Sequence, residues 1–300
     1  MALQIFGFRA LWSPYFFIFL VLVLVGYFLI TIKYREKFLN SEPLKLGQAI
    51  NFSIAILLLY IIKGSPIDLM GHLMFYAHMI QMAILCLVIP KFFITGIPPW
   101  IWRSLQKNSA FKNIFNFLTK PVVALILFNG IFSIYHIPLV FDIVKTSFLL
   151  HAAYTSLLFV MAIIFWWPID NKLDEYQSLS GLKKVGYIFA ASALLLPACG
   201  LIIFANAPLY SSFSDPDAWA KSLELCVPAS TLSGLTLSGP EMFSSISLLN
   251  DQQLGGIIMK MIQEIVYGVT LAQIFFSWYR KEQEETEIEK QHSLNPQTIE

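Results

Sequence analysis

Charge is scarce in this sequence. Asp, Glu, Lys and Arg together make up 13% of 300 residues, about half of what a soluble domain carries. Cysteine is scarce as well. Cys86, Cys199 and Cys226 offer no even-numbered framework and no C-x-x-C pair, and two of them sit inside apolar runs, which argues against a structural disulfide. There is no nucleophile motif, no phosphate-cradling glycine loop and no nucleic-acid patch, and no nucleic acid is expected as a partner. No internal repeat supports a transporter built of two matched halves. The first apolar run is followed by no small-residue cleavage site, so it does not read as a removable signal.

What the chain has instead is apolar surface. Apolar residues reach 57%, with 26 phenylalanines, and the mean hydropathy is +0.66. Such a surface is tolerated in lipid and aggregates in water. A helix needs about 20 apolar residues to cross the bilayer, where no backbone polar group can go unpaired. Seven stretches meet this requirement, at roughly 14–32, 47–62, 69–89, 121–141, 147–167, 185–205 and 253–279. Pro14, Pro66, Pro90, Pro121 and Pro168 are read as edges where a helix begins or stops. The expectation is an all-α polytopic membrane protein: a bundle of about seven transmembrane helices over residues 1–280, then a polar tail at 281–300 expected to be disordered.

Basic residues set the expected orientation. Alternate connections carry Lys33, Arg35, Lys37 and Lys45, then Lys91, Arg103, Lys107, Lys112 and Lys120, then Lys172, Lys183 and Lys184, then Arg280, Lys281 and Lys290. The opposite side holds only Arg9, Lys63, Lys145 and Lys221. Fifteen against four places the N-terminus outside and the C-terminus in the cytoplasm. Residues 91–120 mix Trp100, Trp102, Phe111 and Phe115 with bases, a composition for a segment along the inner interface or for a simple basic loop. Residues 206–252 form a Ser/Gly/Pro-rich outer connection.

Four histidines fall within spans: His72 and His78 in the third, His136 in the fourth and His151 in the fifth. At 1.5 Å per residue, His72 lies roughly 6 Å below the outer end of its span, His78 roughly 15 Å, and His136 and His151 about 6–8 Å. All four share the outer half of the membrane. Sulfur shares that layer: Met70, Met74, Met79, Met82 and Cys86 in the third span, Cys199 in the sixth, Met259 and Met261 in the seventh. On a continuous helix His78 lies near Met74 and Met82, and His72 points the same way as Met79. A single buried methionine is an ordinary gap-filler and a single membrane histidine an ordinary hydrogen-bonding residue. Four imidazoles at one depth with thioethers form a soft mixed set suited to copper, particularly copper(I).

The seventh span adds Lys260, Gln263 and Glu264. Lys260 and Glu264 are one turn apart and able to pair. Ionisable groups at membrane depth are costly, so the pair is either functional or a self-neutralising packing device. Asp251 at the mouth of this helix is either functional or a cap.

Several motifs bear a resemblance to a known family. His78-Met79-Ile80-Gln81-Met82, then Pro90 and Gly96-Ile97-Pro98, then His136-Ile137-Pro138, then His151 leading into Phe165-Trp166-Trp167-Pro168, then Pro208-Leu209-Tyr210 and Asp251-Gln252-Gln253-Leu254-Gly255-Gly256 look like the signature of the caa-type cytochrome c oxidase assembly factors, the CtaG family of Gram-positive bacteria. The likeness covers about residues 10–280. It implies a seven-span membrane protein needed to form an active haem–copper oxidase, and the expectation is a protein of the cell membrane that is not an enzyme, with an oxidase subunit or assembly intermediate as partner. The family often carries a further histidine beside the position of Gln81 and Met82, absent here.

Together these readings give a copper chaperone holding the metal through His72, His78, Met74, Met79, Met82, His136 and His151, with Lys260, Glu264, Asp251 and Cys199 as further functional candidates. Two other classes stay open: a haem-binding redox protein, which would also use paired histidines, and a cofactor-free scaffold for an oxidase subunit. Homo-oligomerisation is left open.

Overall fold

The computed structural model describes residues 3–294 except 178 and 236–238, and among these every regular element is a helix. Gly7–Trp12 (α1) and Pro14–Phe28 (α2) belong to one long apolar segment, Leu3–Lys33, which meets Leu46–Gly64 (α3). Tyr27 of α2 stacks flat on Phe52 of α3, ring centroids 3.9 Å apart. Then come Pro66–Leu73 (α4), Phe75–Ala83 (α5), Ile89–Gly96 (α6), Pro99–Leu105 (α7) and Ser109–Leu118 (α8). Pro121–Tyr135 (α9), Pro138–Lys145 (α10), Phe148–Asp170 (α11) and Gly181–Ile203 (α12) follow. Three short helices, Ser211–Ser214 (α13), Pro216–Leu223 (α14) and Ala229–Leu232 (α15), precede the long Leu248–Leu294 (α16).

Six helical segments are long and apolar enough to cross a membrane, and α8 with α9 make a seventh if the bent pair counts as one span. The expected spans therefore reappear, with one rearrangement. The third span runs Phe75–Gly96, not 69–89. Residues 66–73 form the separate α4, and the chain breaks at Met74, whose φ of −133° and ψ of 136° are extended. Pro90 does not end this span. Its missing N–H is absorbed by a widened π turn at Ile84–Val88, after which the helix continues as α6. Pro168 likewise sits inside the last turn of α11.

The segment 91–120 is helical, and α8 is bent by 75° from α9. Trp102 and Phe115 clamp Trp167 between them, at 4.7 and 4.8 Å. On the same side of the bundle Lys91 pairs with Asp170 at 3.0 Å and lies 4.0 Å above the Trp166 ring. At the other end, the connection 204–235 packs down as a cover. Trp219 of α14 is fully buried among Phe6, Leu69, Leu73 and Met74. Asp142 of α10 anchors it by accepting from the Ser211 and Ser212 N–H groups at 2.9 and 3.0 Å and from the Ser212 hydroxyl at 2.7 Å. The polar stretch from Glu282 continues α16 as far as Leu294, and the remainder of the expected tail, 295–300, lies outside the described residues.

Candidate functional site

The α4–α5 break organises the histidine-bearing end. Pro66 starts α4 without an N–H, so the Ile62 carbonyl loses its helical donor. The Gln81 amide reaches across from α5 and donates to that carbonyl at 2.6 Å, and to Ile67 O and Asp68 Oδ1 at 3.1 and 3.2 Å. Gly71 makes this possible, because a Cβ there would run into the Gln81 amide oxygen. The break at Met74 leaves the first N–H groups of α5 without intrahelical partners. Asp251, 176 residues on, supplies the acceptors: Oδ2 takes the Phe75 N–H at 2.8 Å and Oδ1 the Tyr76 N–H at 3.2 Å. Asp251 is thus a cap for a neighbouring helix, set where its charge meets the positive end of the α5 dipole. Gly255, one turn on, lets α16 approach, since a Cβ would sit 2.7 Å from Phe75 and 3.0 Å from Met79.

The four histidines gather at this one end of the bundle but fall into two settings. His72 lies in α4, not in the third span. Its ring is 5.5 Å from that of His151, in the first turn of α11. Beside them Lys145, the last residue of α10, is only 1% exposed. Its ammonium donates to Gly71 O at 3.1 Å and to His72 Nδ1 at 3.0 Å, and stands 5.2 Å from the centre of the Phe213 ring. Burial pushes the pKa of the Lys145 ammonium down to about 7. While protonated it has no acceptor, so it occupies the His72 Nδ1 lone pair and the ring proton then sits on Nε2.

The second setting is aromatic. His78, in the first turn of α5, packs edge-on to Phe141 at 5.2 Å and contacts Tyr135, Phe75 and Phe213 at 6.0–6.2 Å. His136 caps the C-terminus of α9 at a right angle to Tyr135, 5.0 Å away. The Tyr210 hydroxyl donates to the His136 carbonyl at 2.8 Å. The imidazole of His136 meets the Phe132 carbonyl through Nδ1 at 2.8 Å. A carbonyl accepts only, so Nδ1 carries the proton and Nε2 presents a bare lone pair. This is how proteins orient a ligating histidine.

That lone pair has no partner. His136 Nε2, His78 Nε2, the Tyr135 hydroxyl and His151 Nδ1 are all buried without a hydrogen bond among the described residues. Each such group costs about 1–3 kcal/mol, and a native core keeps few of them. Among the described residues, no three or more His, Cys, Asp and Glu side chains are grouped to hold a metal.

The sulfur atoms also divide. Met82 shares a face of α5 with His78, one turn on, and is buried with it. Met79 packs in the main core, against the α16 side where Gly255 sits. Met74 occupies the extended break and packs in a different cluster, with Trp219. The break removes the helical relation of His72 to Met79, whereas Met74 stays one turn from His78, its carbonyl accepting the His78 N–H at 3.2 Å, with its side chain packed in the Trp219 cluster. Cys199 is a buried, unpaired thiol of α12.

On α16, Lys260 and Glu264 form the expected pair, 2.6 Å apart. Lys145, Gln81, Tyr135 and Asp142 are not among the site residues expected from sequence. Lys145 passes for a loop charge, although it and Asp142 are the only charges in the mostly apolar run 138–150.

No curated protein and no solved structure gives a significant match. One family model does, over residues 25–281, most of the chain and every helix from α3 to α15, together with the last turn of α2 and α16 up to Lys281. By that match, and as a multi-pass membrane protein, this chain belongs to the cytochrome c oxidase caa3 assembly factor family.

Proposed function

We propose that this protein is a non-catalytic assembly factor that carries copper(I) as cargo in the aromatic-lined end of its bundle and hands it to an oxidase subunit. The carrying observation is the pair of buried imidazole nitrogens, Nε2 of His78 and Nε2 of His136, with no hydrogen-bond partner. The donor chemistry fits. The His136 tautomer is held by the Phe132 carbonyl, and Met82 adds a thioether beside His78. Imidazole with thioether is a soft set that binds copper(I) without closing around it. Lys145 takes His72 out of the reachable ligands by occupying its Nδ1, so His72 and His151 flank the site and do not form its core. Met74 and Met79 serve packing in this reading.

The basic-residue asymmetry supports a topology with the N-terminus outside, the C-terminus in the cytoplasm and the histidine-bearing end outward. That places the cargo where an extracytoplasmic donor could load it. Family membership supports the oxidase as partner.

The test is copper stoichiometry. His78→Ala and His136→Ala, purified in detergent and loaded with copper(I), are expected to lose most bound metal, and cells carrying either variant to lose oxidase activity. Unchanged stoichiometry would sink the copper reading. A Soret band in the purified protein would favour haem, and full oxidase assembly by the double variant would favour a scaffold without cofactor.

A further inference from the structure

A second polar cluster lies far from the histidines, halfway along α12. Ser192 is the twelfth of the 23 residues from Gly181 to Ile203, so about 16 Å of helix lies on either side of it. In a hydrocarbon core about 30 Å thick, that is the midplane. The Ser192 hydroxyl donates to Glu264 Oε1 at 3.0 Å and accepts from Lys260 Nζ at 3.2 Å and from the Gln263 amide at 3.1 Å. Lys260 also meets Glu264 Oε1, and Gln263 lies 3.5 Å from the same oxygen.

Every hydrogen bond that the Glu264 carboxylate makes among the described residues ends on Oε1. The side chain is 54% exposed, against 24% for Lys260. It is surrounded by exposed Met261 and Ile265 on α16 and Leu196 on α12, the surface that lipid tails cover. A carboxylate with one oxygen fully engaged and the other turned toward hydrocarbon is expensive at this depth. Among the described residues Oε2 has no donor.

The same line of α16 carries small residues. Gly268 and Ala272 follow Glu264 at four-residue intervals, all three on the exposed surface. A Cβ added at Gly268 would meet nothing within 4 Å, so no neighbour in this chain requires a glycine there. Small residues four apart on an open membrane face let a second helix backbone approach closely.

We infer that this face of α16 docks a transmembrane helix of another protein, one bearing a hydrogen-bond donor at the midplane that pairs with Glu264 Oε2 while its backbone packs over Gly268. A second copy of this chain fits poorly. Two-fold pairing through the same patch would set carboxylate against carboxylate, with each Lys260 already turned into its own pair. The inference depends on neither the copper cargo nor the family's role.

The test uses the full chain in liposomes with fluorescent single-span peptides: a polyleucine helix with one central lysine, and an all-leucine control. Energy transfer is expected to report association of the lysine peptide about tenfold tighter than the control. The difference should vanish in Glu264→Gln and fall sharply in Gly268→Leu, a change on open surface that leaves the fold undisturbed. His78→Ala should have no effect, which separates failure here from failure of the copper reading. Equal association of both peptides would overturn the inference. So would self-association of the chain that Glu264→Gln abolishes, because the occupant would then be a second copy.

Discussion

Replacing Asp251 tests how the histidine end is built, because one side chain on α16 holds the start of α5. In Asp251→Ala the N–H groups of Phe75 and Tyr76 lose their acceptors at 2.8 and 3.2 Å. Asp251 is buried, so water cannot readily replace it. A hydrogen bond to a charged group contributes about 1.5–3 kcal/mol, and the charge at the helix start adds about 0.3–1 kcal/mol. The two bonds share one carboxylate and do not add fully, so a loss of about 3–5 kcal/mol is expected. Asp251→Asn keeps one carbonyl oxygen in place and should lose about 1–2 kcal/mol. The assay is thermal unfolding in detergent, read alongside copper bound per chain. Because His78 lies one turn from the cap, Asp251→Ala should lower both readouts, and Asp251→Asn should lower stability while keeping most of the metal. An unchanged melting temperature in Asp251→Ala would refute the cap. Lost stability with full copper binding would refute its link to His78.

Three further outcomes follow from the same geometry. Lys145→Leu removes a cation from beside the histidines and frees His72 Nδ1. Copper(I) affinity in a competition titration should rise, while stability falls by about 1–3 kcal/mol for the unpaired Gly71 carbonyl and His72 nitrogen. A fall in affinity would make Lys145 part of the metal site. Gly71→Ala drives a Cβ into the Gln81 amide oxygen and should destabilise by about 1–3 kcal/mol, with Gln81→Ala giving no additional loss in the double variant. Phe132→Ala keeps its backbone carbonyl on His136 Nδ1, so its effect on copper should be small beside that of His136→Ala, a comparison read by metal analysis.

The spans could be read from the sequence because lipid imposes one requirement on about 20 consecutive residues at a time, and α3, α11 and α12 begin and end within a few residues of the expected limits. The Lys260–Glu264 pair was legible for the same reason: its members are one helical turn apart. What sequence concealed was long-range. No proline or glycine sits at Met74 to announce the break, and the group that caps the new helix start lies 176 residues away. A continuous helix aligns His72 with Met79 and faces Met74 to His78, whereas across the break Met79 packs in the main core and the Met74 side chain in the Trp219 cluster. Lys145 counts as a loop charge by position, and only the packing of α13 against α10, with Phe213 against the ammonium, turns it into a buried group. The His136 tautomer likewise depends on a turn geometry, the C-cap of α9, that periodicity does not describe.

The most direct test of the central claim is X-ray absorption at the copper edge on the copper(I)-loaded protein. The account predicts a low-coordinate ion bound by imidazole nitrogen together with sulfur, with the nitrogen signal reduced in His136→Ala and the sulfur signal removed in Met82→Leu. An oxygen-only environment, or a spectrum identical in wild type and both variants, would contradict it.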